Sequence, residues 1–361
     1  MGGSEKFFIS LVNNFYRRGY DPLVILLEEE NPLLTALDNG IKCVLVNRKF
    51  KYDLSISRRI RKTLKEYGIQ TVFCVEPYAF FLARMASFFD PQLRFFLSLH
   101  NSLPIGVKKY VLEMAYLRFF RKNDRAIFIC NYQRDYFGSR YLFKPSHSSV
   151  IYNGVDTEHY SPAAAECQLD ATQHAWRGRA GISKAEKAIL MVGRISPEKG
   201  HVFAIQALHH LHSVEEIRAH LVIVGSGDNR LLEELKGLVG QYGLERYVHF
   251  EGGQGEVRHY LLHADVFVMT SVSETFSLAA LEALSMGIPC SLTRIGGAPE
   301  MLVDDEMGSL CEARNIESIA ASWKNIICRN RDRTLIRQMT VKSFSDKEMF
   351  DRYEEALKSG Q

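Results

Sequence analysis

The chain has 361 residues, of which 46% are hydrophobic and 24% charged, as in a globular protein with a sizeable core. This length predicts two domains at about 100–200 residues each, and no stretch approaches the roughly 18 consecutive apolar residues of a membrane-spanning helix. Residues 1–160 contain 23 Lys and Arg against 15 Asp and Glu, the remainder 22 against 27. This charge difference suggests that the two halves have different partners. The start of the sequence lacks the basic and apolar segments of a secretory signal, so we expect a cytoplasmic protein.

The seven cysteines are scattered along the chain and form no C-x-x-C pair. This pattern argues against a disulfide framework and against a zinc site. Several of them lie in apolar runs, for example Cys43 in IKCVLV and Cys290 in IPCSL. We therefore expect buried, unreactive thiols at such positions.

Short apolar runs alternate with segments of helical periodicity along most of the chain. In the first half, the apolar runs predict strands at residues 21–29, 42–47, 71–77, 94–101, 126–131 and 148–154. In the second half, they predict strands at residues 188–195, 219–227, 247–253, 265–271 and 289–294. Helical spacing occurs at residues 5–18, 54–67, 107–121, 229–241, 256–263 and 277–286. Alternation of this kind is typical of α/β proteins whose parallel strands are connected by helices.

The alternation is interrupted at residues 157–187, which we interpret as a domain junction with a helix near residues 170–180. The two flanking arrays predict two Rossmann-like, doubly wound domains that face each other across a cleft. The predicted domains are residues 1–156 and 157–340, followed by a C-terminal segment, 341–361. In sheets of this class, ligands bind beyond the carboxyl ends of the strands.

The most informative segment is DVFVMTSVSETFSLAALEALSMGIPC, residues 265–290. It predicts a strand, a loop that contains Glu274, and a helix that starts near Ser277 and ends before Gly287. The free N–H groups at the start of this helix favour an anion such as a diphosphate. Glu274 before the helix and Glu282 within it offer carboxylates to two sets of sugar hydroxyls. The alternative is that Glu282 is a surface charge and Glu274 part of the helix cap.

A second segment, ILMVGRISPEKG, places Arg194 directly after a buried strand and Lys199 at the end of the following turn. A guanidinium and an ammonium that converge on one anion can neutralise a leaving diphosphate without a metal. The alternative is that Arg194 and Lys199 are ordinary solvated cations.

A third segment, VIVGSGD, contains Gly225 and Gly227 but lacks the third glycine of a dinucleotide-binding fingerprint, so we do not predict NAD binding. Tight strand-to-helix packing explains these two glycines equally well.

In this order, the segments resemble the family 4 glycosyltransferases of GT-B fold, and the resemblance covers nearly the whole chain. It rests on the E-x7-E spacing of Glu274 and Glu282, GR-x4-KG from Gly193 to Gly200, NGVD at residues 153–156 with Pro162 after it, and GG-x-PE at residues 296–300. The resemblance implies that residues 1–156 bind the acceptor and residues 157–340 the nucleotide-sugar donor. It also implies that the last helix, residues 344–357, packs back on the first domain.

The same resemblance implies roles for individual residues. Arg194 and Lys199 would bind the donor diphosphate, Glu282 the ribose, and Glu274 the hydroxyls of the transferred sugar. His100, at the end of a strand in the first domain, would lie near the reacting sugar. The other residues expected at the donor are Gly2, Gly3, Gly193, Gly225, Phe276, Ser277 and Leu278.

The beginning of the sequence departs from the family pattern. Family members begin with a strand before a Gly-Gly loop, whereas Gly2 and Gly3 lead directly into the predicted helix 5–18. The family's first strand therefore has no apparent counterpart in this sequence, which favours a non-catalytic nucleotide-sugar-binding subunit. The intact set of donor-site residues favours an enzyme.

The resemblance implies transfer of a hexose with retention of configuration. The acceptor hydroxyl would attack the anomeric carbon on the same face from which the leaving phosphate departs. UDP-sugars are the commonest donors of the family and GDP-sugars the next, and the expected acceptor is a saccharide or lipid-linked saccharide of cell-surface polysaccharide synthesis. There is no D-x-D motif, and Asp304-Asp305 has the pattern of a surface loop. We therefore expect no metal. The nucleotide-sugar is a substrate, and we expect no cofactor and no nucleic acid. The alternative enzyme is a nucleotide-sugar epimerase of GT-B architecture.

The first half also has features of a protein that binds a membrane surface. Its cations cluster at Arg48, Lys49, Lys51, Arg58, Arg59, Arg61, Lys62 and Lys65. In segment 107–121, apolar residues recur at helical spacing among cations, at Val107, Val111, Met114, Leu117 and Phe119 or Phe120. A basic amphipathic helix of this kind predicts peripheral attachment to an anionic membrane surface at the inner face of the membrane. The alternative is an apolar stripe that packs on the domain's own sheet.

Overall fold

The computed structural model describes residues 3–27, 35–48, 53–88, 90, 92–100, 107–183 and 185–359, with the backbone alone at 3–6, 107–109 and 174. The chain divides into two compact units. The first contains Met1–Ile151 together with Arg352–Gln361, and the second contains Tyr152–Asp351. Each unit is described separately below.

The first unit alternates strands and helices. Its helices are α1 (Gly3–Arg17), α2 (Ile56–Glu66), α3 (Pro77–Ala86), α4 (Val107–Leu117) and α5 (Asn131–Arg140). Its strands are β1 (Leu23–Leu26), β2 (Lys42–Leu45), β3 (Thr71–Cys74), β4 (Arg94–Leu99), β5 (Arg125–Phe128) and β6 (His147–Val150). All pairings are parallel, β1 with β2 in one sheet and β3-β4-β5-β6 in another. The apolar runs of β4 and β5 are buried between helices, as the sequence predicts.

The predicted burial of Cys43 is wrong, and that of Cys290 is confirmed. Among the described residues, β2 pairs with β1 alone, and Cys43 and its neighbour Leu45 are exposed. An apolar run at the edge of a sheet therefore lies closer to solvent than its composition suggests. Cys290 lies in a central strand of the second unit, where burial raises the pKa of its thiol well above the usual value. That thiol is unreactive, as expected.

The second unit is larger. Its helices are α6 (Pro162–Gln168), α7 (Ala171–His174), α8 (Trp176–Arg179), α9 (His201–Ser213), α10 (Asn229–Gln241), α11 (Arg258–His263), α12 (Leu278–Ser285), α13 (Ala298–Met301), α14 (Ile316–Ile327) and α15 (Arg333–Phe344). Its strands are β7 (Lys187–Val192), β8 (Ala219–Val224), β9 (Val248–Gly252), β10 (Val266–Met269), β11 (Cys290–Thr293) and β12 (Gly308–Cys311). The final helix, α16 (Asp346–Lys358), begins in this unit and ends in the first.

The six strands of the second unit form one parallel sheet in the order β12-β11-β10-β7-β8-β9. The chain runs outward from β7 to β9 on one side and from β10 to β12 on the other, so the order reverses between β7 and β10. Every residue of β8 is buried, which is typical of a sheet covered by helices on both faces. The α/β class with doubly wound parallel sheets is thus confirmed, although β12 and α14 lie where we predicted no element.

The turn after β7 packs directly on the end of β10. Gly200 has φ +70°, and a Cβ atom added there would lie 2.2 Å from the carbonyl oxygen of Thr270. The Thr270 hydroxyl donates to the Gly200 carbonyl oxygen at 2.9 Å, and the Val272 N–H donates to the Glu198 carbonyl oxygen at 2.8 Å. Glycine is required at position 200 both by its backbone angle and by this close approach.

We predict that Gly200→Ala destabilises the second unit much more than Gly181→Ala. Gly181 has almost the same angle, φ +68°, but nothing lies within 4 Å of its added Cβ. The strain of a left-handed alanine costs about 1–2 kcal/mol at either site, and the overlap at Gly200 adds about 1–3 kcal/mol. Both tryptophans, Trp176 and Trp323, are buried in this unit, so urea unfolding followed by their fluorescence reports on it. Equal losses would show that the contact with Thr270 does not matter.

Candidate active site

The candidate site lies at the carboxyl ends of β7 and β10, where the strand order of the second unit reverses. Gly193 and Arg194 follow β7, and a short 3-10 helix, Pro197–Lys199, leads into α9. The loop after β10 carries Glu274 and leads into α12. Because the two strands are parallel neighbours, both loops emerge at the same edge of the sheet. This is the position at which doubly wound sheets bind ligands.

Lys199 and Glu274 form an ion pair between these two loops. The Lys199 Nζ lies 2.6 Å from Glu274 Oε2, with 27% and 16% of the respective side chains exposed. The other oxygen, Oε1, accepts a hydrogen bond from the Thr275 N–H at 3.2 Å. The structure thus brings together two predicted site residues that are 75 positions apart. Both charges stay accessible to a ligand, because the pair is only partly withdrawn from water.

Arg194 is more exposed than Lys199 and has a different partner. Its guanidinium lies 3.7 Å from Glu198 Oε1, and 72% of its side chain is exposed. The two cations therefore contact separate carboxylates, and their predicted convergence on one anion is not seen here. A long, solvated arginine side chain can still move towards an anion at low energetic cost.

The glycines at the ends of β7 and β8 allow these strand ends to pack without side chains between them. A Cβ atom at Gly225 would lie 1.9 Å from the Gly193 carbonyl oxygen, and one at Gly227 would lie 2.1 Å from that of Ile195. The Gly193 N–H donates to the Val224 carbonyl oxygen at 3.0 Å. Tight packing between the two strand ends, and not between strand and helix as expected, therefore accounts for these glycines, and a contact of Gly193 or Gly225 with a donor stays a prediction.

The N-terminus of α12 is organised by Ser277 and by a second glycine pair. Ser277 caps the helix by accepting from the Ala280 N–H at 3.3 Å, so Glu274 is not the cap residue. Gly296 has φ +54°, and its added Cβ would lie 2.2 Å from the Glu274 carbonyl oxygen. The Gly297 N–H donates to the Thr275 carbonyl oxygen at 2.7 Å. The GG-x-PE motif thus fixes the backbone that carries Glu274.

The residues before and after Ser277 have different surroundings. Phe276 is buried and stacks on Tyr152 with the ring centroids 5.4 Å apart, and Leu278 is the first residue of α12. The Tyr152 hydroxyl donates to Glu300 Oε2 at 3.0 Å, which connects the NGVD segment to the GG-x-PE motif. We did not predict Tyr152 from the sequence, although it directly precedes the NGVD motif.

Glu282 lies on α12, half-buried, and accepts a hydrogen bond from the hydroxyl of Tyr160. Burial and then the Glu282 carboxylate raise the pKa of Tyr160 above its ordinary value. The alternative that Glu282 is a simple surface charge therefore does not describe its surroundings. Tyr160 was missed in the sequence, where its only signal is its position between NGVD and Pro162.

His100 belongs to the first unit, at the end of β4. Its ring stacks on Phe7 at 3.6 Å, and its Nε2 lies 2.9 Å from the Ser98 hydroxyl oxygen and 3.3 Å from that of Tyr353. Tyr353 comes from α16, which connects this histidine to the C-terminal helix. Burial lowers the pKa of His100 to about 3, so the imidazole is neutral at physiological pH.

The remaining predicted residues are Gly2 and Gly3 at the start of the chain and the pair Asp304-Asp305. Gly2 lies outside the described residues, and Gly3 is the first residue of α1. Asp304 and Asp305 are exposed, as predicted, and Asp304 caps a short 3-10 helix by accepting from the Glu306 N–H.

The predicted membrane-facing stripe of α4 is wrong. Leu117 is buried, and Met114, Phe119 and Phe120 pack against the core of the first unit, while Val111 is 57% exposed. Apart from Val111, the described part of this apolar stripe is therefore covered by the unit's own core, and the side chain of Val107 lies outside the described residues. In the part of the chain that the structure describes, no helix is both long and apolar enough to cross a membrane.

Comparison with known proteins agrees with the fold. Residues 1–159 match the family described as Glycosyltransferase Family 4, and residues 172–339 match Glycosyl transferases group 1. The chain belongs to the family 4 glycosyltransferases of GT-B fold.

Individual relatives are distant. The chain is 31% identical to N-acetyl-alpha-D-glucosaminyl L-malate synthase of Bacillus anthracis over half of its own length, and it spans 44% of the length of that relative. It is 24% identical to an Escherichia coli UDP-Gal:alpha-D-GlcNAc-diphosphoundecaprenol alpha-1,3-galactosyltransferase, over 81% of this chain and 77% of the relative. The structure of Anabaena HepE in complex with UDP superposes with a TM-score of 0.83 at 19% identity, covering 99% and 96% of the two chains.

We predict that His100 makes the first unit sensitive to acid. Its pKa is about 3 in the folded state and 6.5 ordinarily, so between these values the unfolded chain binds a proton that the folded chain does not. Stability is therefore lost as the pH falls through this window. In calorimetric unfolding from pH 7 to pH 4, the melting temperature of His100→Gln should fall less steeply than that of the wild type. Parallel curves for the two proteins would contradict a partly buried His100 that stays neutral.

Proposed function

We propose that this protein is a retaining glycosyltransferase that moves a hexose from a UDP-sugar to a saccharide or lipid-linked saccharide. The observation that carries the proposal is the Lys199–Glu274 ion pair between the loops after β7 and β10, beside the N-terminus of α12. It combines a cation for a diphosphate with a carboxylate for sugar hydroxyls. Both groups lie where a parallel sheet of this order binds its ligand.

In this proposal, the donor diphosphate takes the place of Glu274 as the main partner of Lys199. Arg194 moves in from solvent, and the backbone N–H groups of residues 276–278 at the start of α12 contribute donors. Glu274, released from Lys199, accepts hydrogen bonds from the transferred sugar. Glu282, one turn into α12, accepts from the ribose hydroxyls. Four side chains, on two adjacent loops and on α12, and the N–H groups at the start of α12 then bind the three parts of the donor.

The bond between the sugar's anomeric carbon and the diphosphate oxygen breaks, and the acceptor oxygen bonds to that carbon on the same face. The acceptor proton passes to the departing phosphate oxygen. Lys199 and the α12 N–H groups stabilise the charge that develops on the diphosphate, which is usually the largest contribution to such catalysis. Because the lowered pKa of about 3 makes the His100 imidazole a weak base at physiological pH, we assign it a hydrogen-bonding role and not a proton-transfer role.

Two relatives support the choice of substrates. The Anabaena HepE structure contains UDP, and the Escherichia coli relative is named for a UDP-galactose donor and a diphosphoundecaprenol-linked acceptor. We therefore place UDP-sugars before GDP-sugars and lipid-linked saccharides among the first acceptors to examine. We also propose that the reaction needs no metal, because Lys199 and Arg194 supply two cations for the diphosphate.

The function is tested by a thermal-shift screen of UDP- and GDP-sugars, followed by mass spectrometry of products from a library of lipid-linked acceptors. We expect a product heavier by one hexose, and donor consumption only with acceptor present, undiminished in excess EDTA. Donor consumption without acceptor would indicate an epimerase. Loss of activity on chelation, restored by Mg²⁺, would overturn metal independence, and donor binding without turnover would indicate a binding subunit.

A second prediction concerns the cations. Lys199→Met should lower kcat/KM. The decrease should correspond to a loss of about 2–4 kcal/mol of transition-state stabilisation, the usual effect of removing one charge-stabilising group. Arg194→Met should have a similar or smaller effect, because this side chain must first be ordered. The matched control is Lys187→Met, since Lys187 lies at the opposite end of β7 and also pairs with a carboxylate, that of Asp265 at 3.4 Å. Equal kinetics in Lys199→Met and Lys187→Met would place the donor elsewhere.

We also propose peripheral attachment to an anionic membrane through α2 instead of α4. The buried side of α2 is formed by Ile56, Ile60 and Leu64. Its exposed side carries five cations, Arg58, Arg59, Arg61, Lys62 and Lys65. Leu54 and Tyr67, at either end of the helix, are 49% and 45% exposed. A row of cations between two exposed apolar side chains suits a surface of anionic lipid headgroups.

This attachment is measured by co-sedimentation with vesicles of phosphatidylglycerol and phosphatidylcholine. We expect binding to the anionic vesicles that decreases at high salt, because salt screens exposed charges. Replacing Arg58, Arg61 and Lys65 by Gln should abolish this binding, because each cation near an anionic surface contributes about 1 kcal/mol to the binding free energy. As a control, Arg230→Gln with Lys236→Gln removes exposed cations from α10 of the second unit. Binding that is unchanged by lipid charge or by the α2 substitutions would contradict the proposal.

A further inference from the structure

The segment between NGVD and Pro162 is held against α12 by an arginine of α15. The guanidinium of Arg337 donates to the carbonyl oxygens of Thr157 at 2.8 Å, Tyr160 at 2.9 Å and Ser285 at 2.6 Å. Thr157 and Tyr160 belong to the NGVD segment, and Ser285 is the last residue of α12. One partly buried cation thus fixes the segment and the helix to each other through charged hydrogen bonds.

A second contact sets the position of Tyr160 along α12. The Ser285 hydroxyl donates to the Tyr160 carbonyl oxygen at 2.7 Å. Ser285 follows Glu282 by three positions, and residues so spaced on a helix are neighbours on its surface. The backbone of Tyr160 is therefore anchored one turn from Glu282, and its phenol reaches back to the Glu282 carboxylate.

The phenol is a permanent donor in this arrangement. Tyr160 is half-buried, and its hydroxyl is protonated at physiological pH, as the phenol of any tyrosine with an ordinary or raised pKa is. A carboxylate has about four acceptor positions, so one hydrogen bond from Tyr160 restricts Glu282 and leaves positions for other donors. A glutamate side chain that is already ordered loses less entropy when it binds a ligand.

We infer that Tyr160 is a positioning residue whose hydroxyl holds the Glu282 carboxylate ready to accept the ribose hydroxyls of a nucleoside diphosphate. This inference rests on the proposed donor site, in which Glu282 faces the ribose. It gives Arg337 and Ser285 a part in donor binding, because they anchor Tyr160.

The test is calorimetric titration of Tyr160→Phe with UDP and with 2′,3′-dideoxy-UDP, which lacks both ribose hydroxyls. For UDP we expect affinity to fall about tenfold, within the range for a hydrogen bond to a charged group. For the dideoxy nucleotide we expect the same affinity in wild type and variant. The matched control is Tyr260→Phe, because the Tyr260 hydroxyl also donates to a carboxylate, Glu251 Oε2, at 2.8 Å. That control should leave both affinities unchanged.

Glu282→Ala separates failure of this inference from failure of the proposed function. If Glu282→Ala does not weaken UDP binding, the donor site itself is wrong. If it does and Tyr160→Phe does not, only the positioning role is overturned. Equal losses for both nucleotides in Tyr160→Phe would also overturn it, since a general structural defect acts without regard to the ribose. The double variant should bind UDP no more weakly than Glu282→Ala alone.

Discussion

The parallel pairing of β7 with β10 is the constraint on which the candidate site depends. These strands are separated by more than seventy residues of chain, yet they are neighbours at the point where the strand order reverses. Their following loops therefore share one edge of the sheet, and Lys199 meets Glu274 there at 2.6 Å. Close backbone contact holds this geometry, because Gly200 lies against Thr270 with no room for a side chain. Opposite charges on two rigidly packed loops form a polar site before any ligand arrives.

The rest of the second unit supports the loop that carries Glu274. The glycine pair of GG-x-PE packs on the backbone of residues 274–275, and Ser277 caps α12. At the other end of α12, Arg337 and Ser285 tie the helix to the segment that contains Tyr160. The motifs that identify the family are thus mostly packing elements in this protein. They place a small number of charged side chains by fixing the backbone beneath them, as precise binding sites require.

The sequence predicted the strand pattern and the two charged loops well, because buried parallel strands leave continuous apolar runs and their ends leave glycine and charge. It did not predict β12 or α14. The strand β12, with the sequence GSLC, is short and has too few apolar residues to stand out. It misjudged α4, since an amphipathic stripe looks the same whether lipid or the protein's own core covers it. The partners of His100 were also missed, because Phe7 and Tyr353 come from opposite ends of the chain. Contacts between distant segments leave no local signal.

In the proposed site, Lys199 binds the donor diphosphate, while Glu274 binds the sugar and not the nucleotide. This division of roles can be measured by calorimetric titration of Glu274→Gln with UDP, because UDP carries the diphosphate but no sugar. Removing the carboxylate frees Lys199 from its partner at 2.6 Å, so we expect UDP binding as tight as in the wild type or tighter. Substantially weaker UDP binding by a folded Glu274→Gln variant would show that this carboxylate contacts the nucleotide.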